Sequence, residues 1–376
     1  MASQEHPIQV HWFCRMPTPY NDELFRALAE LGAITLMVHY KEPVQSSWPW
    51  KSELGRGYPH RFYRKVLGVD WTLVSRAFGS SPRFFVIGGW HEPTIVLLLI
   101  ALVLWRRPFA IWTDAPELDR RRPFWKEWLR ATWLRWVLRH AFRVMGTGQL
   151  ALRNLRAMGC SESRLVDLPY VIDALAFPHA IRSAPQSGAP IVFVSTGRLV
   201  TYKGYGLAIR ALAAARQRGV SFRYALAGTG PEEAELRRLA EEIGVAEHVE
   251  FAGWLEPLEI QQFLLRGHYM LHPALFEPFG VTVIEAMASG LPVIGSDGTG
   301  AVVDRVIDGQ NGFVHRAGDI ASLTEQILRA ASSVEHLEEM SAAALASAQE
   351  WSPSRAAGLV KSLVEASTRG GHQQDR

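Results

Sequence analysis

Two acids, Glu277 and Glu285, are separated by seven residues in the stretch 276–293, FEPFGVTVIEAMASGLPV. Between them lie Pro278, a Phe279-Gly280 pair and the start of an apolar run with helical period. The pattern predicts a loop at Glu277-Pro278 and a helix entered at Gly280 that runs over Val281–Ser289. Its stop is Gly290-Leu291-Pro292, because glycine suits the residue after a helix and proline cannot extend one. A helix start offers unpaired N–H groups and a partial positive charge, which suit a phosphate. Glu277, just ahead of it, can accept hydrogen bonds from sugar hydroxyls. Glu285, about a turn and a half into the helix, can reach a ribose beside that phosphate. Acids near a helix N-terminus also complement its dipole with no ligand present, for at most about 1 kcal/mol. On these residues alone both readings stand.

Two cations could meet the same phosphate. Arg198 and Lys203 fall in the loop after a predicted strand, Ile191–Ser195. Arginine supplies a planar fork for phosphate oxygens and lysine a mobile point charge; either could instead be a surface charge capping a helix. Gly228-Thr229-Gly230 permits close backbone approach. The sequence has no D-x-D, no H-E-x-x-H and no other metal spacing. The charge of a diphosphate then falls to Arg198, Lys203 and the helix N-terminus, with no metal or other cofactor expected. Asp114 follows a predicted strand, Phe109–Trp112, and ligands of open α/β sheets bind beyond the carboxyl ends of strands. The first loop contributes Arg15, Tyr20 and Asn21. His91, after the strand Phe84–Gly88, either faces a ligand or is a hydrogen-bonded structural histidine.

The stretch 276–293 resembles the family-4 glycosyltransferases of GT-B architecture, whose hallmark is this E-x7-E pattern. The resemblance extends through Ser195-Thr-Gly-Arg198, Lys203-Gly204, Ala227-Gly-Thr-Gly-Pro231 and Asp308-Gly-Gln-Asn-Gly-Phe313. It therefore covers about 190–320 and thins out before 180. It implies two Rossmann-like domains facing a central cleft, a nucleotide-sugar donor, and retention of anomeric configuration without a metal. In its terms Arg198 and Lys203 stabilise the leaving diphosphate, Glu277 holds the donor sugar and Glu285 the ribose. The backbone around Phe279, Gly280 and Val281 takes a phosphate, alongside Gly228 and Gly230, and Asp114 orients or deprotonates the acceptor. Family members often carry a glycine pair in the first loop. Here the loop reads Arg15-Met-Pro-Thr-Pro-Tyr-Asn21, without glycine.

The elements that must position these residues follow from patterning. At 376 residues, 48% of them hydrophobic, the chain can bury two cores. Strand–helix alternation is regular after residue 190 and implies a parallel sheet wrapped on both faces. Strands are predicted at Ile191–Ser195, Phe222–Ala227, Val249–Phe251, Tyr269–His272 and Val293–Ser296, with helices at 205–217, 232–243, 256–266, 280–289, 319–332 and 335–349. Before it come strands Gln9–Phe13 and Ile34–Tyr40, with a helix from Asp22, its N-cap, to Leu31. An irregular excursion is expected over 41–65, and a buried helix over Thr94–Trp105, which is too short for the ~20 residues that span a bilayer. The domains expected are 1–180 on the acceptor side and 191–350 for the nucleotide sugar, joined by the Ser/Pro/Gly-rich run 183–190. A last helix, within 351–367, returns to the first domain, and a frayed tail follows.

Charge is uneven. Residues 1–180 hold 23 Lys/Arg against 15 Asp/Glu, whereas the remainder holds 17 against 22. Eleven of the 13 tryptophans also precede residue 180. At ~100° per residue, Arg135, Arg139 and Arg143 share one stripe of the segment 124–144 with Trp125, Trp128 and Trp136, while Leu129, Leu134, Val137 and Leu138 face away. Such a face suits an anionic membrane surface, and equally a core helix with snorkelling arginines. No nucleic-acid module pattern appears. Two distant cysteines, Cys14 and Cys160, exclude a disulfide scaffold and fit a reducing cytosol. The N-terminus lacks the pattern of a secretory leader.

The sequence thus reads as a cytoplasmic glycosyltransferase, peripheral on the membrane if that stripe docks, which moves a sugar from a nucleotide donor to a hydroxyl acceptor, lipid-linked or part of a polysaccharide. A sugar-nucleotide epimerase would share the shape without needing an acceptor pocket. A non-catalytic nucleotide-sugar-binding subunit would keep the fold while losing the acids that are present here.

Overall fold

A computed structural model describes residues 8–43, 55–79, 83–116 and 123–371. The chain divides into two compact units, residues 1–171 with 353–376, and residues 172–352.

The first unit alternates β1 (Ile8–Cys14), α1 (Pro19–Glu30), β2 (Ile34–Tyr40), β3 (His60–Phe62), α2 (Trp71–Val74), β4 (Arg83–Ile87), α3 (Pro93–Leu104), β5 (Phe109–Thr113), α4 (Phe124–His140), β6 (Arg143–Gly146), α5 (Gln149–Ala157) and β7 (Leu165–Asp167). All neighbours pair in parallel, in the order β3-β2-β1-β4-β5-β6-β7. Strands buried on both faces read as apolar runs rather than alternating ones, and for that reason β1, β2, β4 and β5 are visible in sequence. The 41–65 excursion departs from expectation by contributing β3 to the sheet edge; residues 44–54 lie outside the described residues.

Two further expectations are corrected. α1 begins at Pro19, with Thr18 as N-cap residue and proline in the first turn, where its missing N–H costs nothing. Asp22 is therefore no cap. It is buried and accepts from Gly55 N at 2.8 Å and Tyr58 Oη at 2.7 Å, and it pairs with Arg26 at 2.5 Å. The helix over 124–144 stops at His140, because Ala141 takes extended backbone (φ −63°, ψ 135°). Arg143 consequently lies on β6, with its guanidinium over the Phe142 ring. Arg135 and Arg139 are exposed on α4, as are Phe124, Trp125, Trp128 and, against expectation, Leu129. The rotation of α4 is fixed by Trp133, which donates to Trp90 O at 2.8 Å and stacks on Trp136. Leu134, Val137 and Leu138 are buried.

The second unit follows the same plan with β8 (Ile191–Thr196), α6 (Tyr205–Gln217), β9 (Phe222–Ala227), α7 (Glu233–Glu242), β10 (Val249–Gly253), α8 (Pro257–Leu264), β11 (Tyr269–His272), α9 (Val281–Ala288), β12 (Val293–Ser296), α10 (Gly300–Arg305), β13 (Gly312–His315), α11 (Ile320–Ser332) and α12 (Leu337–Gln349). The parallel order is β10-β9-β8-β11-β12-β13. This is the doubly wound order, and it reverses between β8 and β11. Phe193, Tyr224, Leu226, Tyr269, Leu271 and Phe313 fill one face against α6 and α11. α10 and β13 were not expected. The run 183–190 lies within this unit, anchored by the buried Arg182, which donates to Leu264 O and Ser289 O.

The last helix, α13 (Pro353–Gly371), belongs to the first unit, where it packs on α1. It extends past the expected end at 367, and residues 372–376 lie outside the described residues.

Asp22→Ala removes the acceptor of a buried N–H and a buried hydroxyl. Unfolding by urea should show a loss of about 1–3 kcal/mol, with Asp22→Asn losing less. An unchanged midpoint in Asp22→Ala would show that the 55–58 segment is held by something else.

Candidate functional site

In open parallel sheets the place where strand order reverses leaves a crevice at the carboxyl ends. In the second unit β8 and β11 flank that place, and most of the predicted chemistry lies just beyond them. After β8 the chain passes Gly197 and the exposed Arg198, then forms a tight turn over Thr201–Lys203. After β11 it runs from His272 through Glu277 to Gly280, the N-cap of α9. The two loops are joined by Leu275 N donating to Tyr202 O at 2.7 Å. Gly204 (φ +72°) makes this possible, since a Cβ there would sit 2.1 Å from Pro273 O.

Lys203 Nζ pairs with the Glu277 carboxylate, and both side chains are mostly buried. Glu277 is held by its backbone as well, its N–H donating to Gly298 O and its carbonyl accepting from Gly300 N. Arg198 points into solvent and makes no ion pair among the described residues. Phe279 is buried, so its contribution to any ligand is limited to backbone. The close approach that Gly228 and Gly230 permit is to the neighbouring loop: a Cβ at Gly228 would fall 1.9 Å from Gly197 O, and one at Gly230 2.2 Å from Leu199 O. They shape the Arg198 loop from beneath.

Glu285 lies on α9 and is partly buried, and that burial pushes its carboxyl up to about 7. Sequence reasoning overlooked His272. Its ring is buried, and Nε2 lacks a hydrogen-bond partner among the described residues. Burial, then the nearby Lys203 ammonium, holds it well below the usual range, so it is neutral at pH 7. Its Nε2 lies 3.5 Å from where a Cβ on Gly280 would stand, directly beneath the α9 start. Thr282 Oγ1, in the first turn, is likewise buried and unpartnered among the described residues. The position of His272 at a strand end was the available signal.

The first unit gathers the rest. Asp114 is exposed at the carboxyl end of β5, 3.4 Å from Thr147 Oγ1 and hydrogen-bonded to Tyr170. Tyr20 stands edge-on to Tyr170 at 4.5 Å between centroids. Tyr20, Tyr170 and Asp114 therefore form one group, and Tyr170 was not foreseen. Asn21 is buried nearby in sequence, with Oδ1 unpartnered among the described residues. Arg15 does not join them in the same way, being tied to Glu42 at 2.6 Å. His91 is exposed in the turn before α3.

Residues 179–346 match the family model described as Glycosyl transferases group 1. The second unit carries a group 1 glycosyltransferase domain. Among curated relatives, 2-deoxystreptamine glucosyltransferase of Streptomyces kanamyceticus is 28% identical over 206 residues, 52% of this chain and 52% of that protein. Amylovoran biosynthesis glycosyltransferase AmsK of Erwinia amylovora is 29% identical over 192 residues, 50% of this chain and 46% of the relative. The match thus covers about half the length of these relatives. The structure of Anabaena Alr3699/HepE in complex with UDP and glucose superposes with a TM-score of 0.71 at 18% identity, covering 96% of this chain and 100% of that one. The fold of the chain is GT-B.

The raised Glu285 carboxyl has a stability consequence. The folded chain holds that proton up to about pH 7, whereas an unfolded glutamate releases it near 4.3. Stability from this group is full below about pH 4.3 and is lost as pH rises toward 7, at up to about 1.4 kcal/mol per pH unit. Glu285→Gln should gain stability relative to the unaltered chain across that window, as read by urea unfolding. A difference that stays flat with pH would show that Glu285 titrates normally.

Proposed function

We propose that the chain is a family-4, retaining, metal-independent glycosyltransferase that moves a sugar from a nucleoside diphosphate sugar to a hydroxyl acceptor in glycan assembly. The observation that carries this reading is the meeting of Lys203, Glu277 and the α9 N-terminus at the reversal of strand order, with Arg198 exposed alongside. Relatives named for amylovoran biosynthesis and 2-deoxystreptamine glucosylation, and a fold neighbour named with UDP and glucose, support a sugar nucleotide as donor and make the uridine form the first to try.

The diphosphate takes the N–H groups at the α9 start and draws Lys203 away from Glu277. Freed, Glu277 accepts hydrogen bonds from the sugar hydroxyls, and Glu285 accepts from the ribose. As the bond from anomeric carbon to phosphate oxygen breaks, Lys203 and Arg198 stabilise the charge growing on the leaving diphosphate. Asp114, held by Tyr170 and Thr147, orients the acceptor hydroxyl. An epimerase would interconvert donors without releasing nucleoside diphosphate, so a panel of nucleotide sugars with and without acceptors separates the two activities.

Arg198→Ala and Lys203→Ala should each weaken nucleoside diphosphate binding by the equivalent of about 1.5–3 kcal/mol, roughly 10- to 150-fold, and nearly abolish transfer. Arg198 is exposed, so its variant should melt like the parent, while Lys203→Ala also leaves Glu277 unpaired and should melt lower. Unchanged calorimetric affinity in both variants would overturn the donor-site assignment.

The acceptor side suggests a lipid-linked substrate and action on the cytoplasmic face of a membrane. No helix among the described residues is long and apolar enough to cross a bilayer. α4 nevertheless exposes Phe124 at 85%, Trp125 at 60%, Trp128 at 56% and Leu129 at 52%. Lys126, Arg135 and Arg139 are exposed along the same helix. Each basic residue near anionic lipid contributes about 1 kcal/mol, screened by salt. Replacing Trp125 and Trp128 by Ser, or Arg135 and Arg139 by Gln, should sharply lower co-sedimentation with anionic liposomes at low salt. A parent chain that stays in the supernatant under those conditions would exclude docking.

A further inference from the structure

A second polar cluster lies in the first unit, on the sheet face where Phe13, Phe85 and Ile87 pack against α2, α3 and the turn Ser75–Phe78. His39 is in register with Phe13 on one side and Arg61 on the other. His11 stacks on Phe85, and His39 on Phe13. His11 Nδ1 and His39 Nε2 are 2.9 Å apart, and Arg61 Nε donates to His39 Nδ1 at 3.1 Å. Burial, reinforced by the surrounding guanidiniums, keeps both imidazoles far below the usual range, so both are neutral.

The hydrogen bonds then fix both tautomers. A guanidinium has only donors, so His39 Nδ1 is an acceptor and His39 carries its proton on Nε2. That proton is donated to His11 Nδ1, which leaves the His11 proton on Nε2. His11 Nε2–H is buried with no acceptor among the described residues, and Arg76 Nε–H is in the same condition. Of the guanidiniums near His11, Arg76 bears on it most strongly.

Charge in the cluster is also out of balance. Arg61, Arg76 and Arg83 all act on His11, and Asp70 is the acid that acts on Arg76. Asp70 is already committed: Oδ1 accepts from Thr72 N, Thr72 Oγ1 and Leu73 N, and Oδ2 from Arg64 N and Arg61 Nη2. Arg83 donates to two neutral oxygens, Gln9 Oε1 and Arg76 O. Among the described residues, three guanidiniums thus act on His11, and one acid, Asp70, answers Arg61 and Arg76.

We propose that this cluster is an oxyanion site, in which a phosphate group accepts from His11 Nε2–H and Arg76 Nε–H and is balanced by Arg61 and Arg83. Water could satisfy the two donors but would leave the charge uncompensated; an oxyanion does both. Arg61, Arg76 and Arg83 are each partly exposed, so the edge of the cluster reaches solvent while the two unpartnered nitrogens lie buried within it. Arg83 starts β4 and His11 lies midway along β1, whereas Asp114 follows the carboxyl end of β5. The cluster is accordingly separate from the acceptor-side group, and the inference does not rest on the glycosyltransferase reading.

Titration with inorganic phosphate tests it, followed by the His11 Nε2–H signal in ¹⁵N-correlated NMR and by melting temperature, with chloride at equal ionic strength as control. The expected result is a saturable shift of that signal and a rise in melting temperature, both retained in Arg198→Ala. In Arg76→Gln the affinity should fall about tenfold or more, and Arg83→Gln should weaken it too. Phosphatidic acid vesicles that compete with inorganic phosphate would assign the group to a lipid headgroup; vesicles without effect would assign it to a soluble anion. A His11 signal indifferent to phosphate, or equal affinity in the parent, Arg76→Gln and Arg83→Gln, would overturn the proposal.

Discussion

One ion pair governs the charge balance of the second unit's site. Lys203 and Glu277 come from the ends of two different strands and meet where strand order reverses. Both are mostly buried, and a buried charge that loses its partner is costly. Whatever enters must therefore offer each a substitute: an anion for the lysine and hydrogen-bond donors for the glutamate. A molecule with a phosphate and several hydroxyls close together meets both demands, whereas a simple anion meets one. His272 fits the same balance, because its neutral ring beneath α9 adds no second positive charge beside Lys203.

Much of this arrangement could be read from the sequence, for physical reasons. The second unit's strands, buried on both faces, left apolar runs, and a glycine follows within three residues of the ends of α6, α7, α8 and α9. β13 and α10 escaped because Gly312 opens a strand of only four residues and α10 is a six-residue helix. Arg198, Lys203, Glu277 and Glu285 were legible as residue types at a spacing. That Lys203 and Glu277 would satisfy each other was not legible, because their pairing depends on two loops brought together by backbone contact at Gly204 and Pro273. His272 announced itself only by its place at a strand end; its importance lies in what surrounds it.

In the first unit local rules misled where tertiary packing prevailed. Asp22 is a natural helix cap by type, yet it sits a turn inside α1, where its carboxylate has three partners outside the helix backbone. Arg143 continued the periodicity of α4 by arithmetic alone. The chain turns extended at Ala141 so that β6 can join the sheet beside β5, and the periodicity is cut there. Tyr170 and Tyr20 converge on Asp114 from remote parts of the sequence, which no local pattern could reveal.

The placement of α13 has a consequence for the order in which the chain can mature during synthesis. The second unit is continuous in sequence, so it can condense as soon as its own residues have left the ribosome. The first unit is not continuous: α1 packs against a helix that begins at Pro353, after the whole second unit has been made. Until then the apolar side of α1, with Leu24, Phe25 and Leu28, and its counterpart on α13, with Ala356, Ala357, Val360 and Val364, have not met. The unit translated first is thus the last to be completed, and its surface is finished only when the second unit already exists.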